Sequence, residues 1–131
     1  MGQGSIIGYE INEKTCQISF YNEKDLEPDT LEVDTDNYQI PLIIGKLRDT
    51  WAYGKEAKRL VTIKDGFTAT RLLSKSLAGD KIEFGEETYD AVWLLSQFIQ
   101  MSLQSFPEID GIVFTVPSLS EEMAQMLRGI A

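Results

Sequence analysis

Four consecutive polar residues, Asn12, Glu13, Lys14 and Thr15, follow shortly after an acidic residue, Glu10, near the start of the chain. A short polar turn can offer backbone amides and a hydroxyl group to phosphate oxygens, and a nearby carboxylate can orient a hydrated Mg²⁺ ion. A polar turn beside a carboxylate is therefore chemically suited to contact phosphate. Taken alone the pattern is a weak signal, because many hairpins carry one carboxylate near the bend.

Two apolar segments, residues 6–11 and 15–21, flank this polar turn. Their composition and the asparagine between them predict an antiparallel β-hairpin. Residues 30–34 alternate apolar and polar side chains, which predicts a third, half-exposed strand. The sequence thus predicts three consecutive antiparallel strands, with the polar turn at the first bend.

Apolar patterns further along the chain predict alternating helices and strands. In chain order they are a strand over 40–45, an edge insertion over 50–60, a helix over 67–78, a hairpin over 80–89, a helix over 91–106, a strand over 109–116 and a helix over 118–130. Gly79 provides a left-handed stop for the first of these helices, and Asp90 is a candidate N-cap for the second. The near-continuous apolar run 112–116 predicts a strand covered on both faces.

Composition narrows the classes of function. The chain has 131 residues, of which 43% are hydrophobic, and this size and content fit a single soluble domain. Its net charge of −9 disfavours binding to nucleic acid or to an anionic membrane surface.

The remaining composition signals concern redox setting and targeting. The single cysteine and the lack of histidine leave neither an internal disulfide nor a zinc cluster, so a reducing, cytoplasmic setting fits best. No apolar run reaches the 18 to 20 or so residues of a membrane span, and residues 1–5 are expected to form a flexible leader.

Three segments in a fixed order resemble the actin and heat-shock chaperone (DnaK-type) branch of the ribonuclease H-like superfamily, including uncharacterised bacterial chaperone-like proteins. Residues 8–16 (GYEINEKTC) are similar to the chaperones' opening phosphate segment, which reads Gly, apolar, Asp, apolar, Gly, Thr, Thr. Residues 40–44 and 51–57 resemble their proline-led strand and the segment after it. Residues 112–117 (IVFTVP) are similar to their strand that precedes a helix.

This resemblance implies an α/β fold of the ribonuclease H-like type, with a five-stranded mixed sheet flanked by helices and a small edge insertion. Residues 1–131 would then be the N-terminal lobe, a fragment of an actin-like ATPase domain, and Mg-ATP would bind only together with a missing second lobe. It also implies that Asn12, Glu13, Lys14 and Thr15 bind the nucleotide phosphates and that Glu10 contacts the metal. No nucleotide is expected to stay bound to this chain alone.

Several positions depart from the chaperone pattern. Glu10 stands where the family has Asp, Asn12 replaces a glycine, and Glu13 and Lys14 replace paired threonines. No equivalent of the family's catalytic lysine is identified, although Lys58 and Arg59 are near in sequence. These departures leave a second hypothesis open, a noncatalytic protein-interaction scaffold with a degenerate phosphate loop.

A third hypothesis is a metal-dependent nuclease of the ribonuclease H type. Such enzymes bind two metal ions through carboxylates clustered on one sheet. Glu10 would be the first ligand here and Asp110 the nearest candidate for another. The acidic surplus and the lack of a basic groove argue against this hypothesis.

Overall fold

A computed structural model describes residues 5–21, 28–30, 39–104, 106, 109–116 and 121–130. This described part contains ten strands and four α-helices in a mixed α/β arrangement. The strands are β1 (Ser5–Ile11), β2 (Thr15–Tyr21), β3 (Pro28–Thr30), β4 (Gln39–Pro41), β5 (Ile44–Leu47), β6 (Thr50–Tyr53), β7 (Gly66–Ala69), β8 (Lys81–Phe84), β9 (Glu87–Asp90) and β10 (Ile109–Thr115). The helices are α1 (Lys55–Arg59), α2 (Leu72–Ala78), α3 (Ala91–Ser102) and α4 (Glu121–Ile130), and a short 3-10 helix occupies Leu60–Thr62.

The predicted hairpin at the start of the chain is confirmed. Strands β1 and β2 pair antiparallel, with Ile11 opposite Cys16 next to the turn. Along β1, Ile7, Tyr9 and Ile11 are buried while Glu10 is exposed. This period of two is what a sheet with one covered face requires. Of the predicted leader, Ser5 already belongs to β1, and the first four residues lie outside the described part.

The strands divide into three sheets. The largest has five strands in the order β10-β1-β2-β3, and β4 also pairs with β2; β1 and β10 are parallel, whereas the other pairs are antiparallel. A second sheet has the order β6-β5-β7, and β8 and β9 form a separate hairpin. The prediction of a single five-stranded sheet is therefore wrong in part. One sheet does have five strands, but β5, β6 and β7 form a second sheet and β8 and β9 form a third.

The last strand of the main sheet also differs from expectation. β10 was expected to be covered on both faces, yet it lies at one end of the strand order, and Val113 is 60% exposed. Only the apolar run was visible in the sequence, and such a run does not reveal whether a strand is central or peripheral. The predicted third strand over 30–34 is described only at Thr30, the last residue of β3; its remaining residues lie outside the described part.

Two helix predictions need correction at their ends. The helix expected over 67–78 begins only at Leu72, because Gly66–Ala69 pairs with β5 as β7. Gly79 follows that helix with a φ of 72°, which confirms the left-handed stop. The helix expected over 91–106 ends at Ser102, and Asp90 occupies its N-cap position without a side-chain capping hydrogen bond.

One buried chain of hydroxyl and thiol groups joins the main sheet to α3. The Ser102 hydroxyl donates to the Ile99 carbonyl (2.8 Å), so the Tyr9 hydroxyl, 2.6 Å from Ser102 Oγ, is the donor in that contact. Cys16 Sγ in turn donates to the Tyr9 hydroxyl oxygen at 3.6 Å. The buried polar atoms of Tyr9, Cys16 and Ser102 therefore each have a partner, which avoids the penalty of about 1–3 kcal/mol for an unsatisfied group.

In the described part of the chain, no helix has both the length and the apolar character needed to cross a membrane.

Two glycines offer a test of the packing, because a methyl group at each should have opposite effects. A Cβ atom at Gly45, in the middle strand of the second sheet, would lie 2.8 Å from the Phe67 carbonyl oxygen and 2.9 Å from Leu60 Cδ1. We expect Gly45→Ala to lower the free energy of unfolding by about 1–3 kcal/mol, as overpacking does. Urea unfolding followed by circular dichroism measures this change.

The matched control is Gly129→Ala in α4, where nothing lies within 4 Å of the added atom. Alanine favours a helix over glycine by up to about 1 kcal/mol, so this variant should be unchanged or more stable. Equal losses in the two variants would contradict the packing described around Gly45.

Candidate functional site

Two hollows flank the turn between β1 and β2. The larger, which we call the turn cleft, has a volume of about 380 Å³. It is lined by Glu13, Lys14, Thr15, Pro41, Leu42, Ile43, Lys58, Thr70 and Arg71. The smaller, which we call the strand-end hollow, has a volume of about 270 Å³ and is lined by Glu10, Ile11, Asn12, Thr115 and Val116. The polar residues singled out in the sequence therefore divide between two neighbouring hollows.

The backbone N–H groups of the turn donate hydrogen bonds to a side chain of the turn itself. Asn12 Oδ1 accepts hydrogen bonds from the backbone N–H groups of Lys14 and Thr15, both at 2.8 Å, and the Thr15 hydroxyl donates to it at 3.4 Å. This is the local bonding by which asparagine stabilises turns. The same amides and hydroxyl were expected to contact phosphate, so a ligand would have to displace the Asn12 side chain to reach them.

Glu13 links the turn to α2. Its Oε1 accepts a hydrogen bond from the backbone N–H of Ser74 at 2.9 Å, in the first turn of that helix. A carboxylate in that position is favourable because the first N–H groups of a helix have no partner within the helix. Its Oε2 is buried and has no hydrogen-bond partner among the described residues. Glu13 thus has a structural contact, and its second oxygen is left open to a donor.

Three cationic side chains line the turn cleft: Lys14 from the turn, Lys58 from α1 and Arg71 from the residue before α2. Within the part of the chain that the structure describes, none of the three has an ion-pair partner. With Glu13 as the carboxylate in the lining, the cleft carries a surplus of positive charge in a chain whose net charge is −9. A local surplus of this kind attracts anions.

Arg71 also has an uncommon backbone conformation. Its φ of 53° and ψ of 43° lie in the left-handed region, which costs a non-glycine residue about 1–2 kcal/mol. Strained residues of this kind are frequent at functional sites, where the surrounding structure holds them in place. The conformation places Arg71 between β7 and α2, at the wall of the turn cleft.

The strand-end hollow contains the predicted metal contact. Glu10 pairs in register with Thr115 on the parallel strand β10, so both residues stand near the carboxyl ends of adjacent strands. Ligands commonly bind at this end of parallel strands. The described residues include no group of three or more acidic, cysteine or histidine side chains that could hold a metal ion. Glu10 is thus the carboxylate that lines this hollow, without a second acidic side chain among the described residues of the lining.

The structure brings three of the four predicted phosphate-binding residues, Glu13, Lys14 and Thr15, to one cleft, whereas Asn12 lies in the other hollow. Of the two basic residues noted on α1, Lys58 lines the turn cleft, and Arg59 instead contacts Glu56 at 3.2 Å. Arg71 was not predicted from the sequence as a residue of this site. Its only signal was a basic residue just before a helix, which does not indicate where the helix lies relative to the first turn.

Comparison with known proteins gives one match. A family described as "Family of unknown function (DUF5716) C-terminal" matches residues 27–131. The matched range includes Lys58 and Arg71 of the turn cleft but begins after the β1–β2 hairpin, and so excludes Glu10 and Lys14. No curated protein matches the chain.

Proposed function

Because the chain belongs to the DUF5716 C-terminal family, whose function is unknown, we propose a function from its own geometry: one lobe of an actin-like, chaperone-like nucleotide-binding domain. In this proposal the turn cleft binds the phosphates of Mg-ATP, and a second lobe completes the nucleotide site. The observation that carries the proposal is the convergence of Lys14, Lys58 and Arg71 on the cleft beside the first turn.

The order of the strands supports the proposal. A hairpin, β1 and β2, continues into β3, and β10 returns after α3 to pair parallel with β1. This arrangement is compatible with the ribonuclease H-like lobe that the sequence resemblance implies. It puts Glu10 and Thr115 at the strand ends and Lys14 and Thr15 across the turn from them. Fold alone does not confer function, so the charged cleft carries more weight than the topology.

The chemistry of the cleft favours binding over hydrolysis. Side-chain cations can hold phosphate oxygens through charge-assisted hydrogen bonds even though Asn12 occupies the turn amides. When bound, magnesium would neutralise phosphate charge near Glu10. Glu13 in the lining would repel a phosphate unless the nearby cations offset it. We therefore propose a lobe that binds phosphates and has little or no ATP turnover by itself.

One observation favours a second candidate function, the noncatalytic scaffold. The hydrogen bonds from Lys14 and Thr15 to Asn12 make the first turn a closed structural unit. A scaffold that kept the fold and lost the phosphate loop would have such a turn. A scaffold does not need three cationic side chains around one cleft, which is why we rank phosphate binding first.

A titration of the ¹⁵N-labelled chain with tripolyphosphate and with ATP, each with and without Mg²⁺, tests the proposal. We expect the amide signals of Lys14, Thr15, Lys58 and Arg71 to shift, with a Kd on the order of 1 mM because the chain supplies only one side of the site. Release of phosphate from ATP should stay at background. Unchanged signals at 10 mM ligand, a limit of about ten times that Kd, would rule out the proposed site.

The matched variant for the metal is Glu10→Gln. Since Glu10 is exposed and lies in the strand-end hollow, the change should reduce the Mg²⁺-dependent part of ATP binding and leave the melting temperature nearly unchanged. Binding of tripolyphosphate without Mg²⁺ should be unaffected or slightly tighter. A large drop in melting temperature would instead assign Glu10 a structural role.

A further inference from the structure

Five aromatic side chains form a continuous surface feature away from the turn cleft, which we call the aromatic ridge. Its members are Trp51, Phe67, Phe84, Tyr89 and Trp93. Tyr89 and Trp93 are stacked with ring centroids 5.2 Å apart, and Phe67 stacks on Phe84 at 5.6 Å. The ridge therefore joins the second sheet, the β8–β9 hairpin and the first turn of α3.

Both ends of the ridge face solvent. Trp93 is 41% exposed and Phe67 is 37% exposed, although Phe84 between them is buried. Aromatic rings of this size normally gain most of their stabilisation by burial. Val92, next to Trp93 on α3, is exposed as well, so the apolar surface extends beyond the rings.

Acidic side chains border the ridge. The segment from Asp80 to Asp90 carries five acidic residues and one lysine. Glu83 and Glu86 are exposed, and the Gly85–Glu86 turn lies against Phe67, since a Cβ atom at Gly85 would be 3.2 Å from that ring. Glu86 therefore stands beside the exposed Phe67 ring, whereas Glu83, which alternates with Phe84 along β8, lies on the other face of the hairpin.

Lys46 shows what kind of group this surface accommodates. Its Nζ lies 5.2 Å from the Trp51 ring centroid and 5.8 Å from that of Tyr89. It also donates to Glu87 Oε1 and to the Tyr89 hydroxyl oxygen, each at 3.1 Å. A cation over an aromatic face with a carboxylate beside it is a favourable combination. The exposed Phe67 ring, with Glu86 beside it, offers the same chemistry to a cation from outside, and Trp93 offers a second exposed aromatic face.

We propose that the aromatic ridge binds a basic, partly apolar segment of another protein. Arginine or lysine side chains of the partner lie over the Trp93 and Phe67 rings and one of them pairs with Glu86, while its apolar residues cover the exposed carbon surface. Charge favours a basic partner over a second copy of this chain. A second copy would also carry a net charge of −9, which opposes association through an acidic surface. The site is separate from the turn cleft, so it does not depend on nucleotide binding.

Fluorescence anisotropy of a labelled twelve-residue peptide of alternating arginine and leucine tests the proposal with the whole chain. We expect saturable binding that Trp93→Ala and Glu86→Lys each weaken about fivefold, within the range of one exposed cation–π contact or ion pair. Glu121→Lys makes the same charge change on exposed α4 and should leave the affinity within about twofold. Circular dichroism checks that each variant is folded.

Four results would overturn the proposal. Equal weakening by Glu86→Lys and Glu121→Lys would mean that the peptide responds only to net charge. Equal affinity for a peptide of alternating arginine and glycine would remove the contribution of the partner's apolar residues, and equal affinity for one of glutamate and leucine would remove the role of charge. A concentration-dependent dimer in light scattering that Trp93→Ala abolishes would identify a second copy as the occupant.

Discussion

Changing Lys58 to glutamate is expected to weaken tripolyphosphate binding to the turn cleft by about 10- to 100-fold, which corresponds to about 1.5–3 kcal/mol for a charge-assisted contact. Lys58 is one of three cations in the lining, and the variant both removes it and adds a second carboxylate near Glu13. The side chain is exposed and has no described ion-pair partner, so the fold should be unaffected. The NMR titration measures the affinity, and a thermal melt measures stability.

Arg59→Glu is the matched control, because it makes the same change in net charge one residue further along α1. Its guanidinium contacts Glu56 and is not part of the cleft lining. We expect this variant to bind tripolyphosphate within about threefold of the unmodified chain, since solvent screens charges beyond about 10 Å. If both variants lose affinity equally, the ligand is held by the general field of α1 and the cleft is not a site.

The second large effect is alkaline unfolding driven by Cys16. Burial raises the pKa of the Cys16 thiol from 9.0 to about 12, and the hydrogen bond with Tyr9 offsets only part of that increase. Burial likewise raises the pKa of Tyr9 well above its usual value. Above pH 9 the thiol of the unfolded chain ionises while that of the folded chain stays protonated, so unfolding becomes more favourable as the pH rises.

The difference between the two pKa values predicts how steeply, and by how much in total, the free energy of unfolding falls with pH. The contribution of the protonated Cys16 thiol to this free energy should be fully present below pH 9 and lost between pH 9 and about 12, at about 1.4 kcal/mol per pH unit and about 4 kcal/mol in total. Urea unfolding under reducing conditions at a series of pH values measures it. Cys16→Ala should flatten the dependence between pH 9 and 10, whereas Tyr9, whose pKa burial also raises above 10.0, continues to contribute at higher pH. An identical slope in Cys16→Ala would show that the thiol is not the linked group.

The predictable features of this fold are those set by neighbouring residues. The β1–β2 hairpin, the left-handed stop at Gly79 and the hairpin around Gly85, whose φ is 67°, all follow from alternation and turn chemistry within a few residues. The division of the strands into three sheets does not follow from such local patterns. β7 pairs with β5 across about 20 residues, and nothing within Gly66–Ala69 distinguishes a short edge strand from the first turn of a helix.

The candidate site shows the same limit. The sequence identifies Lys14 and Thr15 because they are close to Glu10 along the chain, but Arg71 reaches the same cleft only because of where α2 lies. One local signal in the sequence does indicate a contact within the site, the asparagine at position 12. Asparagine side chains commonly bond to backbone amides two residues on, so Asn12 could have been predicted to occupy the amide of Lys14.

The parallel pairing of β1 with β10 has a consequence for how the chain is made. Glu10 and Thr115 are neighbours in the sheet but are separated by about 100 residues of sequence, and such distant contacts are slow to form. During synthesis at about 5–20 residues per second, the N-terminal hairpin would leave the ribosome about 5–20 s before its parallel neighbour exists. In that interval the unpaired edge of β1, with Ile6 and Tyr9, can pair with the wrong strand, so nascent chains should be prone to mispairing and aggregation until β10 has emerged.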